Sequence, residues 1–166
     1  MSDKVSLDRI DLLHPIVREE AKAIYAEICE RLTGRAKCRF AFTYRSIAEQ
    51  DALYAKGRTV PGGKVTNARG GQSWHNYGLA IDIVLIVDGK EVSYDMLKDY
   101  DGDGQSDWQE IVFVFKMHGW EWGGDWATFK DGPHFQKTFG LTIAQANKAF
   151  NGGNVIAGTN YIKIGI

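Results

Sequence analysis

The chain is poor in cysteine and histidine, carries almost no net charge, and lacks any long apolar run. Its two cysteines, Cys29 and Cys38, flank a helix-to-strand connection and belong to no metal-ligand pattern. Without a secretion leader they are expected as free thiols, since a bridge would need oxidising surroundings and suitable geometry. A net charge of −1 and a single basic cluster, Arg58, Lys64 and Arg69, without interleaved aromatics argue against nucleic acid as a partner. No stretch is long and apolar enough to span a bilayer, and residues 1–11 lack the apolar core of a signal peptide. The chain is therefore expected in the cytoplasm on synthesis, as a monomer without stable membrane association. No internal repeat is visible, and 166 residues with ample apolar content fit a single domain, 1–166.

Four histidines leave few candidates for metal or acid–base chemistry. His14 and His118 stand alone and read as hydrogen-bonded or surface residues. His75 and His134 differ by their company. The run Ser73-Trp74-His75-Asn76-Tyr77-Gly78-Leu79-Ala80-Ile81-Asp82 is answered by Asp131-Gly132-Pro133-His134-Phe135. Two imidazoles and a carboxylate match the three protein ligands of a catalytic zinc, which keeps a fourth position open. Asp131 would be the general base beside it. If Leu79 to Val87 is a strand, Asp82 shares a face with Ala80 and Val84, and small Ala80 leaves room for a metal. An ionised carboxylate in that apolar run is costly unless it binds metal or pairs with an arginine. Pro133 disfavours helix at Gly132 and suggests a bend that aims Asp131 and His134 together.

A second motif is nearly independent of the first. Asp99-Tyr100-Asp101-Gly102-Asp103-Gly104-Gln105-Ser106-Asp107-Trp108-Gln109-Glu110 fits the twelve-residue EF-hand loop, with oxygen donors at one, three, five and nine, glycine at six and glutamate at twelve. Asp99, Asp101, Asp103, Gln105, Asp107 and Glu110 are thus candidate calcium ligands, with a structural or regulatory role. Ordering of the loop by calcium is expected to act through Trp120 and Trp122 on the segment carrying Asp131 and His134. The bland alternative is an acidic turn rich in aspartate and glycine.

Periodicity places these motifs on a scaffold. Pro15 to Leu32 has helical spacing, with Pro15 suited to the first turn and Gly34 to the end. Cys38 to Tyr44 reads as a strand, and Ser46 with Glu49 forms a capping box opening a helix to Lys56. Arg45 then sits at a strand-to-helix junction, within reach of a cleft. Arg58 to Gln72 reads as a mobile loop, Val87 to Lys90 as a hairpin turn, Leu141 to Phe150 as a helix, and Tyr161 to Ile164 as a returning strand. The expected fold is α+β: a small antiparallel sheet carrying the metal on one face, helices on the other, and an inserted EF-hand-like loop at 99–110. The catalytic core would cover about 12–140, and the role of the tail, 151–166, is open.

The pattern S-x-H-x-x-G-x-A-x-D followed by D-x-P-H-F resembles the zinc peptidases that include D-alanyl-D-alanine carboxypeptidases and the L-alanyl-D-glutamate endopeptidases of phage endolysins. Thr43-Tyr44-Arg45-Ser46, Glu49 to Tyr54, Gly57-Arg58-Thr59 and Trp122-Gly123-Gly124-Asp125-Trp126 are similar to the endolysin branch. The resemblance implies that His75, Asp82 and His134 hold zinc, that Asp131 is the catalytic acid/base, and that Arg45 holds a substrate carboxylate. Trp126, from a cluster of tryptophans beside the second half of the motif, and Ser73 are further candidate substrate contacts. It implies hydrolysis of the L-alanyl-D-glutamate bond of the peptidoglycan stem peptide after release to the cell wall. The alternatives are a D-alanyl-D-alanine carboxypeptidase or dipeptidase, and a noncatalytic wall-binding module with structural zinc and calcium. Arg45 does not choose between the two bonds, because both substrates present a free carboxylate beside the scissile nitrogen.

Overall fold

The computed structural model describes residues 3–165. Among these, five α-helices and five strands follow in this order: α1 Lys4–Ile10, α2 Pro15–Arg31, β1 Ala36–Phe42, α3 Ile47–Ala55, β2 Ala80–Val87, β3 Glu91–Ser93, α4 Asp107–Met117, β4 Glu121–Trp122, β5 His134–Gln136 and α5 Ile143–Asn151. All strand pairings within the sheet are antiparallel. β2 is the spine of the sheet: β1 runs along one edge, while β5 takes the first half of the other edge and β3 the second half. β4 extends the sheet beyond β5.

Side chains alternate across β2 with the period of a strand. Ile81, Ile83 and Leu85 enter the main core with Phe40 of β1 and Phe135 of β5, where they meet Val17, Ile24 and Ile28 of α2 and Ile111 and Phe115 of α4. Ala80, Asp82, Val84 and Ile86 take the opposite face, so the expected division into a helix-covered face and a site-bearing face holds. Phe115 stacks on Phe135 with ring centroids 4.0 Å apart. Truncating such a buried ring costs about 3–5 kcal/mol, and here it would loosen the strand that carries His134.

A bulge redirects one side chain toward the site. Phe40 pairs with Ile83 but Phe42 pairs with Asp82, so Ala41 is the extra residue. The insertion moves Phe42 from the core face to the face of Asp82, as bulges beside active sites commonly do. The expected capping box is present: Ser46 accepts from the Glu49 amide, and Glu49 returns the bond to the Ser46 amide. The β2–β3 turn has Asp88 and Gly89 at φ 52° and 75°, a geometry that matches the right-handed twist of the flanking strands.

Two expectations change. The tail makes a single antiparallel bridge, Val155 to Ile162, instead of a strand at Tyr161 to Ile164. It is held by the burial of Ile162 and by a 2.7 Å bond between the Ile162 carbonyl and His14 Nε2. Residues 58–72 form a pinned loop: Arg58 stacks 3.8 Å over the Tyr54 ring and donates to the carbonyls of Tyr54 and Thr66, at 2.7 and 3.0 Å. Arg69 covers the same ring, so two members of the basic cluster clasp an aromatic of α3. The EF-hand-like loop has an exit helix, α4, but no helix enters it. Cys29 and Cys38 are free thiols, as expected.

Candidate active site

Three segments meet on the open face of the sheet. Trp74–Tyr77 is a short 3-10 turn, capped by Ser73, which accepts from the His75 amide at 3.3 Å. Gly78 closes it at φ 67°, and a Cβ there would lie 2.5 Å from the His14 amide nitrogen, so only glycine fits. Buried Asn76 ties the turn down by donating to the Arg45 carbonyl at 2.9 Å and accepting from the Gly71 amide at 3.0 Å. His75 is thereby held over β2.

The register of β2 with β5 sets Asp82 directly opposite His134. His134 Nδ1 lies 2.9 Å from Asp82 Oδ1, and His75 Nε2 lies 3.1 Å from the same oxygen. The alternative partner for Asp82, an arginine, is not what the fold supplies. Burial pushes the Asp82 carboxyl up, but the electrostatic pull of nearby His75 and the hydrogen bond from His134 outweigh it and hold the group well below the usual carboxylate range. For His134 burial pulls the pKa down, and the bond to Asp82 wins, leaving it raised.

Each imidazole is oriented from behind. The Thr43 carbonyl can only accept, so His75 Nδ1, 2.7 Å away, carries a proton, and Nε2 is the nitrogen turned toward Asp82. His134 Nε2 meets Gln136 Oε1 at 2.9 Å, and the Gln136 amide donates to Glu121 Oε2 at 3.1 Å. The roles of Thr43, Gln136 and Glu121 escaped the sequence reading. A backbone carbonyl leaves no sequence signal, and Gln136 is recognisable only from its position two residues beyond His134 on the same strand face.

The donor set fits a metal. His75 Nε2 is buried and makes no hydrogen bond despite its closeness to Asp82, and the donor atoms of His75, Asp82 and His134 lie within 4.8 Å of one another. Neither cysteine joins this group, so the cluster offers three protein ligands and an open side, the layout of a catalytic rather than a closed structural site.

The open side is a cleft of about 510 Å³ lined by these three residues with Phe42, Arg45, Ser73, Trp126 and Asp131. Asp131 is at its mouth, its amide donating to the Gly123 carbonyl at 3.0 Å. A Cβ on Gly123 would lie 2.3 Å from the Asp131 carbonyl, which explains glycine there. Partial burial, then the charge of Asp82, push the Asp131 carboxyl up against the opposing pull of the imidazoles, a direction that suits proton transfer. The Arg45 guanidinium donates to Gln50 Oε1 at 3.0 Å and makes no carboxylate pair among the described residues. Trp126 lies against His134, with ring centroids 5.4 Å apart. Of the other tryptophans near it, Trp120 is core and Trp122 spends its indole N–H on the Gly132 carbonyl at 2.7 Å. Ser73 borders the cleft, with its hydroxyl already engaged as a cap.

The profile of the D-alanyl-D-alanine carboxypeptidase family matches residues 66–137. The peptidoglycan L-alanyl-D-glutamate endopeptidase CwlK of Bacillus subtilis (strain 168) is 46% identical over 124 residues, covering 75% of this chain and 72% of that protein. The chain belongs to this family of peptidoglycan peptidases. A second family relative, the L-alanyl-D-glutamate peptidase of Listeria phage A118, is 32% identical over 57% of this chain but only 33% of its own length. The crystal structure of Serratia marcescens L-Ala D-Glu endopeptidase ChiX superposes with a TM-score of 0.54 at 25% identity, covering 81% of this chain and 87% of that one. The family profile spans His75, Asp82, Asp131 and His134 and begins after Arg45.

The acidic loop lies apart from this family site. Asp99, Asp101 and Asp107 form one group of donors within 4.8 Å, and Asp101, Asp103 and Glu110 another. Burial, then the charges of Asp103, Asp101 and Asp107, push the Glu110 carboxyl up to about 7. Gln105 Nε2 donates to Asp103 Oδ2 at 3.5 Å, and at position seven such a loop uses the backbone carbonyl as ligand.

Proposed function

We propose that this protein is a zinc-dependent endopeptidase that cleaves the L-alanyl-D-glutamate bond of peptidoglycan stem peptides. The observation that carries the reading is the convergence of His75 Nε2 and His134 Nδ1 on Asp82 Oδ1, on the floor of a cleft that also presents Asp131 and Arg45. His75, Asp82 and His134 would hold the zinc, which when bound supplies Lewis-acid activation of the scissile carbonyl and of the attacking water.

The chain's own groups do the rest. Asp131 takes a proton from the attacking water onto a carboxylate oxygen and returns it to the nitrogen of D-glutamate as the L-alanyl carbon–nitrogen bond breaks. Arg45, held by Gln50 and without a carboxylate partner among the described residues, grips the α-carboxylate beside that nitrogen as a bidentate pair. Trp126 supplies an apolar wall over His134, and Ser73 shapes the rim as the cap of the His75 turn. These residues come from segments spanning Thr43 to Gln136, which supports reading the chain as one catalytic domain. The Bacillus and Listeria phage relatives support this bond over the D-alanyl-D-alanine bond. No helix among the described residues is long and apolar enough to cross a membrane.

Mass spectrometry of purified peptidoglycan digested by the zinc-loaded protein tests the reading. New fragments with amino-terminal D-glutamate are expected. Release of D-alanine would move the chain to the carboxypeptidase reading, and binding to sacculi without any cleavage would leave a noncatalytic module.

A further inference from the structure

We infer that the segment Asp99–Glu110 is a calcium site separate from the zinc centre, and that the bound cation sets the position of the loop carrying Asp131. The second half rests on the proposed role of Asp131, whereas the first half does not.

Five carboxylates are gathered in one turn and the first turn of α4, and none of them pairs with a lysine or arginine among the described residues. Acidic turns are common on protein surfaces, and the exposed members of this one would be unremarkable alone. Two members are not exposed. Asp107 is fully buried and Glu110 is 5% exposed, and each keeps one carboxylate oxygen, Oδ2 and Oε2, without any hydrogen-bond partner. Buried carboxylate oxygens left unsatisfied are costly. Both residues belong to the acidic donor groups, Asp107 with Asp99 and Asp101, and Glu110 with Asp101 and Asp103. A cation shared by these groups would satisfy both orphaned oxygens and relieve the mutual repulsion.

The donors are all hard oxygens, without imidazole or thiolate, which excludes a zinc-like site. Their positions at one, three, five, nine and twelve are those of a loop that wraps calcium, with Glu110 placed to offer both oxygens. Magnesium prefers a compact octahedron and keeps several waters, a poorer match to so many carboxylates.

The route to the active site runs through Gly132. Trp108, the second residue of α4, is fully buried and its indole Nε1 donates to the Gly132 carbonyl at 3.3 Å. Trp122 donates to that same carbonyl at 2.7 Å. From the other side of the loop, Ser106 Oγ donates to the Met96 carbonyl at 2.8 Å, and Met96 packs so closely on Gly132 that a Cβ there would meet its sulfur at 2.6 Å. Gly132 directly follows Asp131. Trp108 therefore transmits the position of the loop, replacing Trp120 in the route expected from sequence.

The test uses the full zinc-loaded chain, with calcium chloride as probe and magnesium chloride as control. Calcium is expected to bind in isothermal titration, raise the melting temperature and shift the NMR resonance of the Trp122 indole N–H. It should also raise the rate of stem-peptide hydrolysis about 5-fold or more, the low end of typical coupling between sites. Asp103→Asn changes an exposed carboxylate and should weaken calcium binding at least about 10-fold, the loss of one charged ligand among five. Trp108→Phe should keep calcium binding and lose both the Trp122 shift and the calcium-dependent part of the rate. No heat, no melting shift and no resonance change up to roughly 10 mM calcium, above the range of the weakest extracellular modules, would overturn the site. Binding without any change in the Trp122 resonance or the rate would overturn the coupling. If hydrolysis is absent with and without calcium, the peptidase reading fails, while titration and the Trp122 resonance still decide this inference.

Discussion

The carbonyl of Thr43 accepts a hydrogen bond from His75 Nδ1 at 2.7 Å, and that one contact decides which nitrogen of His75 faces Asp82. Thr43 follows the bulge that turns Phe42 toward the cleft, so an irregularity of β1 and the tautomer of His75 are consequences of one backbone path. His134 has a side-chain counterpart to this arrangement in Gln136, backed by Glu121.

Replacing Gln136 should therefore loosen the metal without touching a ligand. Outer partners of ligating histidines are worth about 10- to 100-fold in metal affinity. Gln136→Met keeps bulk on the strand and removes the acceptor for His134 Nε2–H. A loss of zinc affinity in that range, with an unchanged melting temperature of the zinc-free protein, is expected in competition with a chromogenic chelator. Unaltered affinity would mean that His134 needs no such support.

Asp131→Asn should separate binding from chemistry. The amide keeps the shape and the backbone bond to Gly123, but it cannot take a proton from water. Zinc content should stay at wild-type level while turnover falls about 10²- to 10⁴-fold, the usual contribution of a positioned acid or base. Retained turnover in the zinc-loaded variant would remove Asp131 from the mechanism.

What was legible in the sequence is what local chemistry dictates. Ser46 with Glu49, the Asp88-Gly89 turn and Pro15 at a helix start each act within a few residues, and each is found as read. The face assignment of Asp82 followed from strand period alone. The parts that were not legible depend on partners far apart in the chain. Helix α1 is short and is secured by Asp3, whose partner Arg39 lies 36 residues away. The tail is placed by His14, 148 residues from Ile162. The indole of Trp108 reaches Gly132 only because α4 packs beneath the sheet.

The Asp3 anchorage gives a pH dependence with a definite sign. Arg39 grips both Asp3 oxygens at 2.8 and 3.0 Å, and Ser6 adds bonds from its amide and hydroxyl. Hydrogen bonding to Arg39 foremost, against some burial, holds the Asp3 carboxyl below its ordinary value of 3.8. A depressed carboxyl stabilises the fold above its unfolded pKa and loses that contribution as pH falls through the folded one. Asp3→Ala should cost about 1–2 kcal/mol near neutral pH, a lost cap together with a solvent-screened ion pair. Thermal melts should show this gap constant from pH 7 to about 5 and narrowing below about 4. A gap that widened in acid would contradict the ion-pair account.

The Arg45 prediction bears most directly on substrate choice. If its guanidinium grips the α-carboxylate of D-glutamate, the benefit must disappear when that carboxylate is an amide. Wild-type protein should cleave the carboxylate form of a stem peptide better than the carboxamide form by about 10-fold or more, since a charged bidentate bond is worth roughly 1.5–3 kcal/mol. Arg45→Lys keeps the charge but loses the planar fork, and should lower kcat/KM on the carboxylate form while leaving the carboxamide form almost unchanged. Because Arg45 also donates to Gln50, which in turn holds the Ala68 carbonyl at 2.9 Å, a purely structural role would lower both substrates together. Equal losses on the two forms would therefore assign Arg45 to the loop, and unequal losses would assign it to the substrate.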